Sequence, residues 1–238
     1  RRVSFSRLGG RRLAWYEAPE LAELVVRIAR RAGLKPPALY LFPAPQANAL
    51  TMATAQESAI GVTPSLLQHL QAGEVAAVIA HEVAHIRHGD LLLAGVASGL
   101  AGAATLLAEM GRWGVILGFL LGLPVSPADL LVALAVAAGV PALALLLRAA
   151  LSREREFLAD AGAAQLLGSP ELMARALWRL EQVNRATWWQ RLLGLAPRVE
   201  ESNSPFSSHP PTRERIRRLQ AMDHLSHWGG LARAQGGW

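Results

Sequence analysis

The spacing of hydrophobic positions changes several times along this 238-residue chain. Over residues 18–32, Leu21, Leu24, Val25 and Ile28 share one helical face, Pro19 suits a first turn and Gly33 supplies a stop, so the pattern predicts an amphipathic helix. Ala38 to Phe42 is a short apolar strand bounded by prolines. Asn48 to Thr54 and Ser58 to Val62 predict two more strands, separated by Ala55-Gln56-Glu57. Thr63-Pro64 caps a short helix, Ser65 to Leu70, and a second helical run extends from Glu74 to His88 with Gly89 as its stop.

Alternation then gives way to continuous apolar sequence. Leu91 to Ala108 and Leu130 to Leu147 are each eighteen residues long and carry no charge, which just reaches bilayer-spanning length. Between them lie Glu109, Arg112, a further apolar stretch from Val115 to Leu123, then Pro124, Pro127 and Asp129. The pattern predicts a helical hairpin, with 115–123 extending the first helix or lying at the interface. Gly95, Gly99 and Ala103 share a face and predict close helix packing there. Polar patterning returns with helices from Ser152 to Leu167, from Pro170 to about Ala186, and from Thr212 to Met222. The expected fold class is mainly α with a small β-sheet (α+β), interrupted by a transmembrane hairpin. Residues 1–90 and 149–222 would form the two parts of one catalytic domain, 91–148 the hairpin, and 223–238 a flexible tail.

Composition agrees with a membrane chain. Hydrophobic residues make up 52% but aromatics only 6%, so the excess is Ala, Leu, Val and Gly. There are no cysteines, which excludes disulfides and thiolate ligands and leaves His, Asp and Glu for any metal. The net charge of +6 is almost all arginine, Lys35 being the single lysine. No nucleic-acid motif accompanies it, so nucleic acid is not an expected partner. Arg87, Arg148, Arg153 and Arg155 flank the outer ends of the hairpin, whereas Arg112 at the tip is offset by Glu109 and Asp129. The positive-inside rule then places the hairpin ends, with His81 and His85, in the cytoplasm. The chain begins Arg1-Arg2, with no Met and no signal-peptide pattern, and reads as a fragment lacking its natural N-terminus.

The chemistry centres on His81-Glu82-Val83-Ala84-His85. Histidines four apart lie one turn from each other on the same helix face, so both imidazoles can reach one Zn²⁺ ion, and the intervening glutamate can hold a water beside it. Such a site needs a third protein ligand. Glu154 and Glu156 are two apart and cannot both face the metal. Glu156 shares its face with Ser152, Ala159, Asp160 and Ala163, small residues that permit close helix approach, and is the chosen ligand. Asp160, one turn on, can accept the second N–H of a ligating histidine. Asp90 either caps the following helix or plays a similar supporting part. His209 precedes two prolines that stiffen its loop and is the candidate oxyanion donor. Arg215 is placed to orient either that loop or Asp160.

Taken in order, His81-Glu82-x-x-His85, an apolar hairpin, Ser152-Arg153-x-x-Glu156-Phe157-x-Ala159-Asp160, and His209-Pro210-Pro211 followed by Arg215-Ile216 resemble the family of HtpX heat-shock proteases and CaaX prenyl proteases. Asn48-Ala49 resembles that family's Asn-Ala element before the strands beside the active site. The resemblance covers roughly residues 17 to 220, and the smaller number of apolar spans favours the HtpX branch. HtpX-like proteins usually carry two further transmembrane helices ahead of the segment that starts here.

The resemblance implies a gluzincin-type zinc endopeptidase in the cell (inner) membrane, multi-pass, acting on misfolded or damaged membrane proteins as a stress response. His81, His85 and Glu156 would hold one Zn²⁺, Glu82 would act as general base, and Asn48 and Ala49 with their strand would bind an extended peptide. The alternatives are a related peptidase with a narrow, prenylated or lipid-anchored substrate, and a non-catalytic zinc-binding membrane scaffold. Glu82 argues against the scaffold, because a structural site has no use for a general base.

Overall fold

The computed structural model describes residues 9–54, 57–192 and 210–222. The first helix, α1 (Pro19–Arg31), buries Leu21, Ala22, Val25, Ile28 and Ala29 along one stripe. It closes on Gly33 at φ +73°, a left-handed conformation that glycine adopts without a Cβ penalty. The amide of Leu34 reaches back to the carbonyl of Ala29 at 2.9 Å, satisfying the last turn.

A four-stranded sheet follows the order β1-β2-β4-β3, with β1 (Arg11–Arg12), β2 (Ala38–Leu41), β3 (Ala49–Ala53) and β4 (Ser58–Val62). The β2–β4 pair is parallel; β1–β2 and β3–β4 are antiparallel. Strand β4 lies between β2 and β3, and its Ala59, Ile60 and Val62 are almost wholly buried. The pattern of apolar residues predicts the last three strands. It does not predict β1, whose two exposed arginines carry no strand signature and are held by backbone pairing with Leu41 and Tyr40.

Helix α2 (Pro64–His69) is capped by Thr63, whose hydroxyl accepts the amide of Leu66 at 3.2 Å. Helix α3 (Ala72–His88) begins where the Glu74 carboxylate accepts the Gln71 amide at 2.9 Å, and ends on Gly89 at φ +66°. Every residue of α3 from Val75 to His85 is buried, which makes it the central element of its layer.

The apolar segments form α4 (Asp90–Leu120) and α5 (Pro127–Leu167), with a turn over 121–126. The 115–123 stretch therefore extends the first helix as far as Leu120. Thirty-one residues reach about 46 Å, more than the ~30 Å hydrocarbon core of a bilayer. The Ser126 hydroxyl and Asp129 carboxylate exchange hydrogen bonds with each other's amides and start α5.

Two expectations are corrected here. The helix expected from Ser152 is not separate: α5 runs unbroken through 148–152. The switch from leucines to Ser152-Arg153-Glu154-Arg155 changes the environment, but it contains no glycine or proline to end a helix. Among the described residues, no atom lies within 4 Å of where a Cβ would stand on Gly95 or Gly99, so no close helix packing is seen on that face.

The chain divides into two compact units. One combines Arg1–Leu91 with Arg155–Trp238; the other is Leu92–Glu154. In the second unit the side chains are largely exposed, among them Leu106, Leu107, Leu120, Leu145 and Leu146. Both its helices are long and apolar enough to cross a membrane, and only 6% of each most apolar window is buried. In the first unit, α6 (Pro170–Leu192) packs Met173, Ala176 and Leu177 into the core. The helix over residues 212–222, here α7, anchors itself with Leu219.

Helix α5 comes close to α3 at Gly162. A Cβ there would stand 3.0 Å from Ala84 Cβ and 3.3 Å from His88 Cε1. Glycine thus lets the helix bearing Glu156 and Asp160 approach the helix bearing both histidines. Gly162→Val should lower stability in thermal unfolding by about 1–3 kcal/mol through overpacking. Gly95→Val, facing open space, should change it by less than about 0.5 kcal/mol.

Candidate metal centre

Three side chains from two helices converge in the first unit. His81 and His85, one turn apart on α3, bring their Nε2 atoms to 3.1 Å from each other. From α5, the Glu156 carboxylate places Oε2 3.5 Å from His81 Nε2 and Oε1 3.6 Å from His85 Nε2. One donor atom from each residue falls within 4.8 Å of the other two, a buried His-His-Glu group able to hold a metal ion. Glu154, the rejected alternative, is exposed.

The other ring nitrogens explain why the Nε2 atoms are available. His81 Nδ1 lies 3.0 Å from Asp160 Oδ1, and His85 Nδ1 lies 2.6 Å from Asp90 Oδ2. At His85 the bonded carboxylate holds the proton on Nδ1 and turns the Nε2 lone pair towards the partner group, and at His81 the nearby carboxylate favours the same tautomer. Asp160, expected from the sequence, therefore sits on His81. Asp90, for which a cap and a supporting role were both open, is only 2% exposed and sits on His85.

Arg215 crosses from α7 to grip Asp160 with both arms, Nε to Oδ2 at 2.7 Å and Nη2 to Oδ1 at 2.6 Å. The same Nη2 is 3.5 Å from Glu156 Oε2. Of the two tasks considered for Arg215, the structure places it on Asp160. His209 lies outside the described residues.

Sequence reasoning missed Thr51. Its hydroxyl donates to Glu82 Oε2 at 2.6 Å and reaches the Glu82 carbonyl at 3.3 Å. Thr51 is buried in β3 and fixes the glutamate beside the two histidines. A polar residue on the buried face of an otherwise apolar strand was the available signal.

Strand β3 is the end strand of the sheet, and among the described residues no strand pairs with its other edge. Thr63 donates to the Asn48 carbonyl at 3.0 Å and Thr54 donates to the Glu57 carbonyl at 2.7 Å. With the antiparallel register, these two bonds direct the backbone groups of 48, 50, 52 and 54 towards β4, and those of Ala49, Thr51 and Ala53 towards the open edge. Asn48 is further held by its amide on the Thr63 hydroxyl at 2.9 Å. The Asn184 side chain on α6 binds both the amide and the carbonyl of Ala47, at 2.9 and 3.1 Å, and so fixes the approach to β3.

The charge balance of this pocket is uneven. Glu82, Asp90, Glu156 and Asp160 are buried, while the guanidinium groups of Arg215 and Arg155 are the cations beside them. Among the described residues four carboxylates thus gather beside two guanidiniums, a surplus of acids that suits a divalent cation. Without one, a proton is the available substitute. Burial opposes a charged His81, but hydrogen bonding to Asp160 and Glu156 outweighs it and pushes this imidazole from 6.5 up to about 9. Burial likewise works against the Asp160 carboxylate, yet Arg215 and His81 hold it below the usual carboxylate range.

A model of peptidase family M48 matches residues 16–223. Among curated relatives, a protein named protease HtpX homolog from Pelotomaculum thermopropionicum is 37% identical over 236 residues, covering 93% of this chain and 82% of the relative. A protein of the same name from Thermococcus kodakarensis is 37% identical over 231 residues, covering 93% and 79%. That from Aquifex aeolicus is 33% identical over 233 residues, covering 92% and 76%. The chain belongs to peptidase family M48, and the expected likeness to HtpX proteases holds over most of its length.

The raised His81 value fixes the sign of a pH dependence. Its folded value of about 9 lies above its unfolded 6.5, so the stabilisation is fully present below pH 6.5 and is lost as pH rises through 9. Chelator-treated protein should show a melting temperature that falls across pH 6.5–9. With metal restored the fall should be smaller, because the ion replaces the proton. A melting temperature of the metal-free protein that rises across this window would contradict the assignment.

Proposed function

We propose that this member of peptidase family M48 is a zinc-dependent endopeptidase, held in a bilayer by its α4–α5 hairpin with its active site towards the cytoplasm. Its substrates would be membrane proteins requiring removal. The observation that carries this reading is the convergence of His81, His85 and Glu156 beside a Glu82 whose carboxylate is already anchored by Thr51. A purely structural metal site would not need that second carboxylate.

His81, His85 and Glu156 would hold the Zn²⁺. When bound, the ion supplies Lewis-acid polarisation of the scissile carbonyl and a lowered pKa for nearby water. Glu82 accepts the proton of the attacking water at its carboxylate and delivers it to the leaving amide nitrogen. Thr51 holds Oε2 of that carboxylate and so limits how it can turn during the transfer. Asp160 and Asp90 keep the two imidazoles in the ligating tautomer, and Arg215 keeps Asp160 ionised. His209 would donate to the oxyanion, on the sequence argument of a proline-stiffened loop.

The substrate backbone would add to β3 as a further strand, taking the amides and carbonyls of Ala49, Thr51 and Ala53 as partners. This sharpens the expectation for Asn48 and Ala49. Ala49 would supply backbone bonds, whereas the Asn48 backbone is committed to Thr63 and only its side chain would face a peptide. Backbone recognition of this kind is sequence-tolerant, which suits a broad range of unfolded polypeptides. The cytoplasmic orientation rests on the arginines at 87, 148, 153 and 155 flanking the hairpin.

Casein hydrolysis by detergent-purified protein tests the reading. Chelation should abolish it, and Glu82→Gln should lower kcat by about a hundredfold or more while one zinc per chain is retained. Glu156→Ala should lose zinc and Glu154→Ala should keep it. Full activity in Glu82→Gln, or zinc loss from Glu154→Ala in place of Glu156→Ala, would overturn it.

A further inference from the structure

One charged group in the pocket has no part in the mechanism above. Arg155 is the residue before the ligand Glu156, so on α5 it points about 100° away from it. Its Nε is buried and has no hydrogen-bond partner among the described residues. Asp90 Oδ1 lies 3.6 Å from that Nε, just beyond bonding distance, and the other Asp90 oxygen binds His85 Nδ1 at 2.6 Å. A buried guanidinium nitrogen is costly to leave uncompensated, and here the carboxylate that compensates it is the one holding a ligand.

We propose that Arg155 is a positioning residue for the metal centre, setting the orientation of His85 through Asp90. The pocket then contains two relays of the same chemistry. Arg215–Asp160–His81 approaches from α7, and Arg155–Asp90–His85 approaches from α5. They differ in tightness. Asp160 is gripped at 2.6 and 2.7 Å by two arms, whereas Asp90 has a single arm at 3.6 Å. At the imidazole end the order reverses, His85 Nδ1 lying 2.6 Å from Asp90 and His81 Nδ1 3.0 Å from Asp160.

Its location gives the second relay a further consequence. Asp90 is the first residue of α4, and Arg155 is the first residue of the catalytic unit after the hairpin segment Leu92–Glu154. The pair therefore ties the chain where it leaves the unit to the chain where it returns, 65 residues on, and does so through the residue that orients a ligand. A change in helix geometry at the two ends of the hairpin would be felt directly as a change in metal affinity.

This inference rests on the zinc reading, and the test keeps the two apart. Zinc dissociation constants are measured by chelator competition on the full chain in detergent, for the parent, Arg155→Ala, Arg155→Lys, Asp90→Asn and the Arg155→Ala/Asp90→Asn double variant. Melting temperatures of the metal-free proteins are recorded alongside. Arg155→Ala and Asp90→Asn should each weaken zinc binding by about 10–100-fold. Arg155→Lys, which keeps a cation but lacks the Nε, should fall between parent and Arg155→Ala. In the Asp90→Asn background, Arg155→Ala should change the constant by less than about twofold, because the relay is already cut. If Arg155→Ala fails to fold, Arg155→Lys carries the test, with a weakening of about threefold or more expected and again lost in the Asp90→Asn background. Zinc affinity within about twofold of the parent, or an Arg155 effect of equal size with and without Asp90, would overturn the proposal. A parent that takes up no zinc would instead overturn the zinc reading and this inference with it.

Discussion

Four carboxylates buried together where α3, α4 and α5 meet are the constraint on which the rest of this structure depends. Glu82, Asp90, Glu156 and Asp160 are all nearly out of contact with water, and among the described residues two arginines stand beside them. Such an arrangement is unfavourable by itself, since removing a charge from water costs several kcal/mol even after relaxation, of the order of ~5 kcal/mol per ion. It becomes reasonable when a divalent cation is part of the folded state. The raised His81 value follows from the same crowding: against burial, Asp160 and Glu156 favour a proton on its imidazole.

The remaining architecture serves to bring these charges together from distant parts of the sequence. Helix α3 carries His81, Glu82 and His85, and its burial from Val75 to His85 leaves it little freedom to shift. Helix α5 supplies Glu156 after a long apolar excursion, and can approach because Gly162 lies against Ala84. Strand β3 contributes Thr51 to Glu82 from one side, and α7 contributes Arg215 to Asp160 from the other. Each supporting group contacts a group that contacts the metal position. The hairpin therefore interrupts the catalytic unit in sequence without dividing its chemistry.

The legible part of this arrangement was the part written in local spacing. His81, Glu82 and His85 announce themselves because one helical turn suffices to relate them. Glu156 and Asp160 were readable because small residues share their helix face and Glu154 does not. The strands β2, β3 and β4 followed from apolar runs with turn residues between them. Long-range partners were harder. Thr51 and Arg155 are ordinary residues in their own segments and acquire a role only when β3 and α5 are brought to α3. Strand β1 is invisible for the same reason, being made by backbone pairing with β2 and by no pattern of its own. The unbroken α5 shows another limit: hydrophobicity reports where water is, and a change in it between Leu147 and Ser152 does not end a helix.

The central claim is that His81, His85 and Glu156 together hold one zinc ion. X-ray absorption at the zinc edge, on stoichiometrically loaded protein, tests it most directly. The account predicts two imidazole ligands at about 2.0–2.1 Å and oxygen ligands at about 2.0–2.2 Å, with the imidazole signal reduced to one ring in His85→Ala. Three imidazoles, or a spectrum unchanged in His85→Ala, would contradict it.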